Sequence, residues 1–239
     1  MYKKNIIISI GYFILSAFKR RKLSGRVHFK TLFLLVINLP IVTFPHDWNL
    51  RRNSEDVKVY TRDYSVSNFK EIKAEIFVKS TLAGVTKFFD DVTLFPTWIY
   101  ACKTAYTLKK ISETEGYVYS VIEASWPVSD RDVITHYVRT QDPITKVILI
   151  TLTSVKYYIP EVKGIVRVDA LCGTTKIIPL KNGIVQIIHQ LHVEPGGFIP
   201  GWLANFFVTD GPLYSFQKLK KLLELEEYCN FKSDKILEP

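Results

Sequence analysis

Three arginines on strand-patterned stretches, Arg131, Arg139 and Arg167, carry the most chemical reach in this 239-residue chain. A guanidinium grips a phosphate, carboxylate or hydroxyl through paired N–H bonds, and a buried one needs a partner. Glu123 and Asp132 are the nearest carboxylates in sequence. Either Arg131–Asp132 is a structural pair that fixes a loop, or one arginine waits inside for a polar ligand group, with Arg139 the stronger candidate. His189 and His192 invite a metal, but residues three apart on a regular strand face opposite sides and cannot share one ion. No G-x-S-x-G frames a nucleophilic serine, so His136 and His189 gain no support as general bases. Cys102, Cys172 and Cys229 are far apart and form no C-x-x-C, which supports neither a zinc ribbon nor a redox pair and reads as buried or half-buried thiols. No catalytic residue, metal or cofactor is expected. Trp98 and Trp126 with a tyrosine would cage a choline-like cation, although Trp126 beside Pro127 reads equally as a loop anchor.

The net charge of +9 suggests nucleic acid until it is mapped. Residues 1–45 hold eight of the 32 basic residues and no Asp or Glu, leaving 24 basic against 23 acidic residues in the rest. A nucleic-acid binder needs its excess on the folded surface that meets phosphates, so that function class is excluded. Within residues 1–45, Ile6–Phe18 and Leu32–Phe44 are apolar runs that each follow basic residues. Both fall short of the ~20 residues of a membrane-spanning helix. The segment reads as a signal peptide or membrane anchor, and the protein as exported or membrane-anchored rather than cytoplasmic. Met1 is the only methionine, so a start further along, as at Val27, would need an alternative codon.

Residues 46–239 read as one domain in which strand patterns dominate, beginning with the short β-type run Val57–Arg62. Ile72, Ala74, Ile76 and Val78 share one face of Phe69–Val78, opposite Glu71, Lys73 and Glu75. Ser80 is the expected N-cap of a short helix carrying Leu82, Val85, Phe88 and Phe89. Strands then recur over Thr104–Ile111, Tyr117–Ala124, Val133–Thr140, Lys146–Val155, Gly164–Leu171, Thr174–Leu180 and Ile184–Val193, with Asn182-Gly183 marking a hairpin. A long helix from about Pro200 to Glu227 ends the domain, and Pro212 is expected to bend or break it near Val208. A curved antiparallel sheet of about seven to nine strands must cover its inner face, and this helix is the element long enough to do so.

Trp126-Pro127-Val128-Ser129-Asp130-Arg131-Asp132 resembles the W-P-x-x-x-R-D signature of StAR-related lipid-transfer (START) domains. Gly164-Ile165-Val166-Arg167 matches their later G-x-x-R strand, and His192–Pro200 with Trp202-Leu203-Ala204-Asn205 their turn into the last helix. The resemblance spans about residues 47–227. It implies an α+β helix-grip fold, a sheet gripping a C-terminal helix with a lipid tunnel between them, and lids at Ser125–Asp130 and Pro195–Ile199. The extra helix that usually precedes the first strand of the family has no counterpart here except the apolar leader. The candidate ligand-binding set is Tyr119, Trp126, Arg131, Arg139, Arg167, His189, Phe198, Trp202, Phe206 and Tyr214. The expected function is to bind one lipid or similar hydrophobic molecule and to carry or present it between membranes, with a membrane surface as partner. The alternatives are an aromatase/cyclase-like enzyme of the same superfamily and a membrane-tethered interaction domain with a filled core.

Overall fold

Alternation builds the sheet. In β2 (Val57–Arg62) Val57, Val59 and Thr61 are buried, and the residues between them reach towards solvent. β3 (Glu71–Lys79) buries Ala74, Ile76 and Val78 in the same rhythm. The computed structural model describes residues 47–64, 67–124, 126–197, 199 and 201–239, with side chains from 208 onward in the last helix. These residues belong to the compact unit His46–Pro239. The apolar leader and the place of the family's extra helix lie outside them.

The other strands are β1 (Asn49–Ser54), β4 (Cys102–Lys110), β5 (Glu115–Ile122), β6 (Arg131–Gln141), β7 (Ile148–Ser154), β8 (Val166–Val168), β9 (Ala170–Pro179) and β10 (Ile184–Glu194). They form one ten-stranded sheet in the order β1-β2-β3-β10-β9-β7-β6-β5-β4. Every pairing is antiparallel except the short parallel contact of β8 with the start of β6. The β9–β10 hairpin turns at Asn182 and Gly183, both at positive φ (63° and 67°), as its two residues require. β1 was not expected from the sequence. The predicted strand Gly164–Leu171 breaks at Asp169 into β8 and the start of β9.

Between β3 and β4 lie α1 (Leu82–Asp90), a 3₁₀ turn (Val92–Leu94) and α2 (Phe95–Trp98). The N-cap of α1 is Thr81 rather than the expected Ser80: its hydroxyl accepts from Gly84 N at 2.9 Å. The long helix α3 runs unbroken over Gly201–Leu223, across Pro212, where a bend or break was expected. Pro212 has no N–H to give the helix, and beside it the Ser215 hydroxyl donates to the Gly211 carbonyl at 2.9 Å. A short α4 (Glu226–Cys229) follows.

The C-terminal half of α3 seats Phe216, Leu219 and Leu223 in a core with Val57, Val59 and Ile76. α1 closes this core from outside. Gly84 lies against α4 so tightly that a Cβ there would stand 1.9 Å from the Tyr228 carbonyl oxygen. On an open helix face, Gly→Ala adds up to about 1 kcal/mol of stability. At Gly84 the collision reverses the sign, because forcing atoms into a packed contact costs about 1–3 kcal/mol. Gly84→Ala is expected to lower Tm by ~5 °C in a thermal melt followed by circular dichroism.

Candidate functional site

α3 touches the sheet mainly along β1, β2 and β3. Over the rest of the sheet a cavity of about 440 Å³ opens between helix and strands. Its walls follow the strand period. β6 contributes Arg131, Val133, Thr135, Tyr137 and Arg139, and β10 contributes His189, Leu191 and Val193. The roof is Val208, Gly211, Pro212, Ser215 and Phe216, and Phe89, Trp98 and Ile99 close one side. The lining is largely apolar, with a few polar groups set into it.

Arg131, Arg139 and His189 of the candidate set line this cavity. Arg139 pairs with Asp90, which also lines it, and donates to the Glu113 carbonyl at 2.9 Å. His189 is fixed through Nδ1 by the Thr175 hydroxyl at 2.8 Å and lies 5.6 Å from the Phe216 ring. Desolvation in this wall pulls its pKa down to about 4. His189 is therefore neutral at physiological pH.

Other members of the set lie elsewhere. Arg167 was a candidate for the cavity; instead it pairs with Asp132 on the opposite face of the sheet. Its Nε meets Oδ1 at 2.8 Å and its Nη2 meets Oδ2 at 2.9 Å. Both side chains are almost fully buried. Tyr119, also expected in the site, donates to the same carboxylate at 3.0 Å; burial, with this contact adding to it, raises its pKa to about 12. The cause of the correction is the period of β6: Asp132 and Arg131 project to opposite faces, so the predicted Arg131–Asp132 pair does not form. Trp126 is 90% exposed, so it neither anchors its loop nor joins Trp98 in a cation cage. Tyr214 faces outward and stacks on Tyr100, with ring centroids 6.0 Å apart. Phe198 and the side chains of Trp202 and Phe206 lie outside the described residues.

His192 points away from the cavity and stacks on Tyr64 at 3.7 Å. His136 also lies outside the cavity lining, bonded to Glu115 at 2.8 Å. Among the described residues no three His, Cys, Asp or Glu side chains cluster to hold a metal. Cys102 is buried and burial raises its pKa to about 11, whereas Cys172 is exposed, against expectation. The sequence reading missed Thr175, Ser215 and Asp90; all three are polar residues on otherwise apolar faces, a weak signal on its own.

Comparison with known proteins places this geometry. A family profile described as the START domain matches residues 45–228. An uncharacterized protein of Pseudomonas aeruginosa is 35% identical over 178 residues, which cover 74% of this chain and 87% of that protein. Among solved structures, a STAR-related lipid transfer protein fragment from Xanthomonas axonopodis is 31% identical with a TM-score of 0.68. The match covers 74% of this chain and 99% of that one. Human StAR-related lipid transfer protein 5 shares the fold, with a TM-score of 0.63 at 17% identity over 80% and 91% of the two chains.

His189 gives the cavity a pH signature. Its pKa is lowered in the folded state, so between pH 6.5 and about 4 the unfolded chain binds a proton that the native chain refuses. Stability is full above pH 6.5 and falls as pH drops through that window. The loss from this group reaches about 2–3 kcal/mol by pH 4.5. Urea unfolding at stepped pH is expected to show this fall in the wild type and a flatter profile in His189→Gln.

Proposed function

The chain belongs to the START domain family, and on that premise we propose that its cavity holds one lipid or similar hydrophobic molecule, which the domain transfers or presents between membranes. The observation that carries the reading is the 440 Å³ void with mostly apolar walls between α3 and the sheet. A lipid with two acyl chains buries roughly 30 methylenes, each worth about 0.8 kcal/mol, so unaided escape from a bilayer is slow. A largely apolar cavity of the size typical for small-molecule sites offers the chains an alternative to water.

A membrane surface is the second partner. Trp126, 90% exposed, lies on the loop that leads into β6 at the Arg131 end of the cavity. An indole has an apolar body and one N–H, a combination that favours the bilayer interface. The basic, apolar leader supports export or retention at a membrane, since each Lys or Arg near an anionic surface adds about 1 kcal/mol.

One observation bears on a cyclase-like enzyme: His189 is a titratable group inside the cavity. The direction of its shift argues against that role, because a pKa of about 4 makes a weak base at neutral pH. Its Nδ1 partner is a hydroxyl, not a carboxylate. A non-enzymatic carrier fits this arrangement better.

Extraction of the purified full-length protein with organic solvent, followed by mass spectrometry, is expected to release one lipid per chain. An empty protein that also fails to take up labelled lipid from vesicles would refute the reading. Trp126→Ala is expected to weaken binding to anionic vesicles by about tenfold in a sedimentation assay. The melting temperature should stay unchanged, because so exposed a side chain has little packing to lose.

A further inference from the structure

We propose that Arg131 receives the anionic head of the cavity's ligand, so that the molecule held is an amphiphile with a carboxylate or phosphate at one end and an apolar body along β6. The inference rests on the ligand-holding reading above and adds the chemical class of the ligand.

Arg131 is 8% exposed and forms part of the cavity wall. Every Asp and Glu of the chain lies among the described residues, and none comes within the 4.0 Å of an ion pair with it. Both neighbouring carboxylates are already engaged. Asp130 accepts from the Ala124 N–H at 3.0 Å and pairs with Lys103 at 3.4 Å. Asp132 faces the other side of the sheet, held by Arg167 and Tyr119. Arg131 is left with two neutral acceptors, the Ser129 carbonyl and the Gly196 carbonyl, the latter at 3.2 Å. Its Nε–H is buried with no partner among the described residues.

The other cations of the wall differ. Lys70 pairs with Asp63 at 3.4 Å, and Arg139 pairs with Asp90. Arg139 is eight residues along β6 from Arg131, about 27 Å at ~3.4 Å per residue. The cavity therefore runs from an ion-paired arginine at one end to one without an ion pair at the other. A buried guanidinium without an ion-pair partner is destabilising. Desolvation lowers the pKa of Arg131 even though the nearby charge of Asp130 opposes that shift. An incoming oxyanion relieves the destabilisation and forms charge-assisted hydrogen bonds. Gly196, at φ 66°, presents its carbonyl to the guanidinium, so the loop after β10 folds over this end.

The test uses full-length protein at pH 8 with two fluorescent probes that share one chain, cis-parinaric acid and its methyl ester. The acid is expected to bind at least tenfold more tightly, and Arg131→Gln should erase that preference while retaining ester binding. Equal affinity of the wild type for acid and ester overturns the inference and leaves the carrier reading standing, with Arg131 a clasp between two loops. A preference that survives in Arg131→Gln also overturns it. Binding of neither probe overturns the carrier reading and the inference together. Displacement of the acid by millimolar inorganic phosphate as readily as by unlabelled fatty acid assigns the site to a free oxyanion, against the inference. The comparison of the two probes on wild-type protein needs no variant to fold.

Discussion

The structure depends on a helix whose C-terminal residues pack into the core while its middle turns face a cavity. Leu219 and Leu223 of α3 are fully buried against Val57, Val59 and Ile76, and Phe216 joins them. Each such side chain contributes about 1.5–3 kcal/mol on leaving water. Just before them the same helix presents Gly211, Pro212 and Ser215, which are too small to fill the space before β6 and β10. Large residues at these positions would give a solid core; the small ones leave a void beside the stretch that carries the stabilisation.

The second constraint is the two-residue period of β6. Arg131, Val133 and Thr135 face the cavity, while Asp132 and Ile134 face a separate small core with Tyr119 and Val121. Neighbours in sequence thus serve opposite surfaces. The Asp132–Arg167 pair ties β6 to β8 and to the carbonyls of Lys156 and Ile159 in the segment before it. It stiffens the outer face directly beneath the residue whose cation is left open on the inner face. A register slip of one residue would exchange the two sets and bury the acid in the apolar cavity.

These constraints explain what could be read from the sequence. Where burial is one-sided the alternation is visible, so β2, β3 and β10 and the Asn182-Gly183 turn were legible from local pattern. β1 was not, because Asn49–Ser54 is exposed along its whole length at a sheet edge and shows no alternation. The large residues of α3 announced the helix, and the resemblance to START domains supplied its place against the sheet. Which arginine met which acid was not legible. Asp132 and Arg167 are 35 positions apart and meet through the parallel β6–β8 pairing, a contact without a local sequence signature. Tyr119 followed Asp132 to the outer face for the same reason. Trp126 and Tyr214 have the composition of cavity-lining residues, but a loop and the outer side of a helix turn them away.

Inside the cavity, the polar groups fall into those that satisfy one another and those that do not. Thr175 and His189 share a hydrogen bond, Ser215 bonds the Gly211 carbonyl, and Arg139 has Asp90. A satisfied group offers a ligand only a modest gain, because any new bond replaces an old one. The fully apolar stretches offer area without direction, so they set how much hydrocarbon is held and not which way it points. Orientation must come from a group whose bonding is incomplete, and the guanidinium at the start of β6 is such a group. The same alternation that carries Asp132 away from Arg131 thereby gives an otherwise greasy tunnel a polar end.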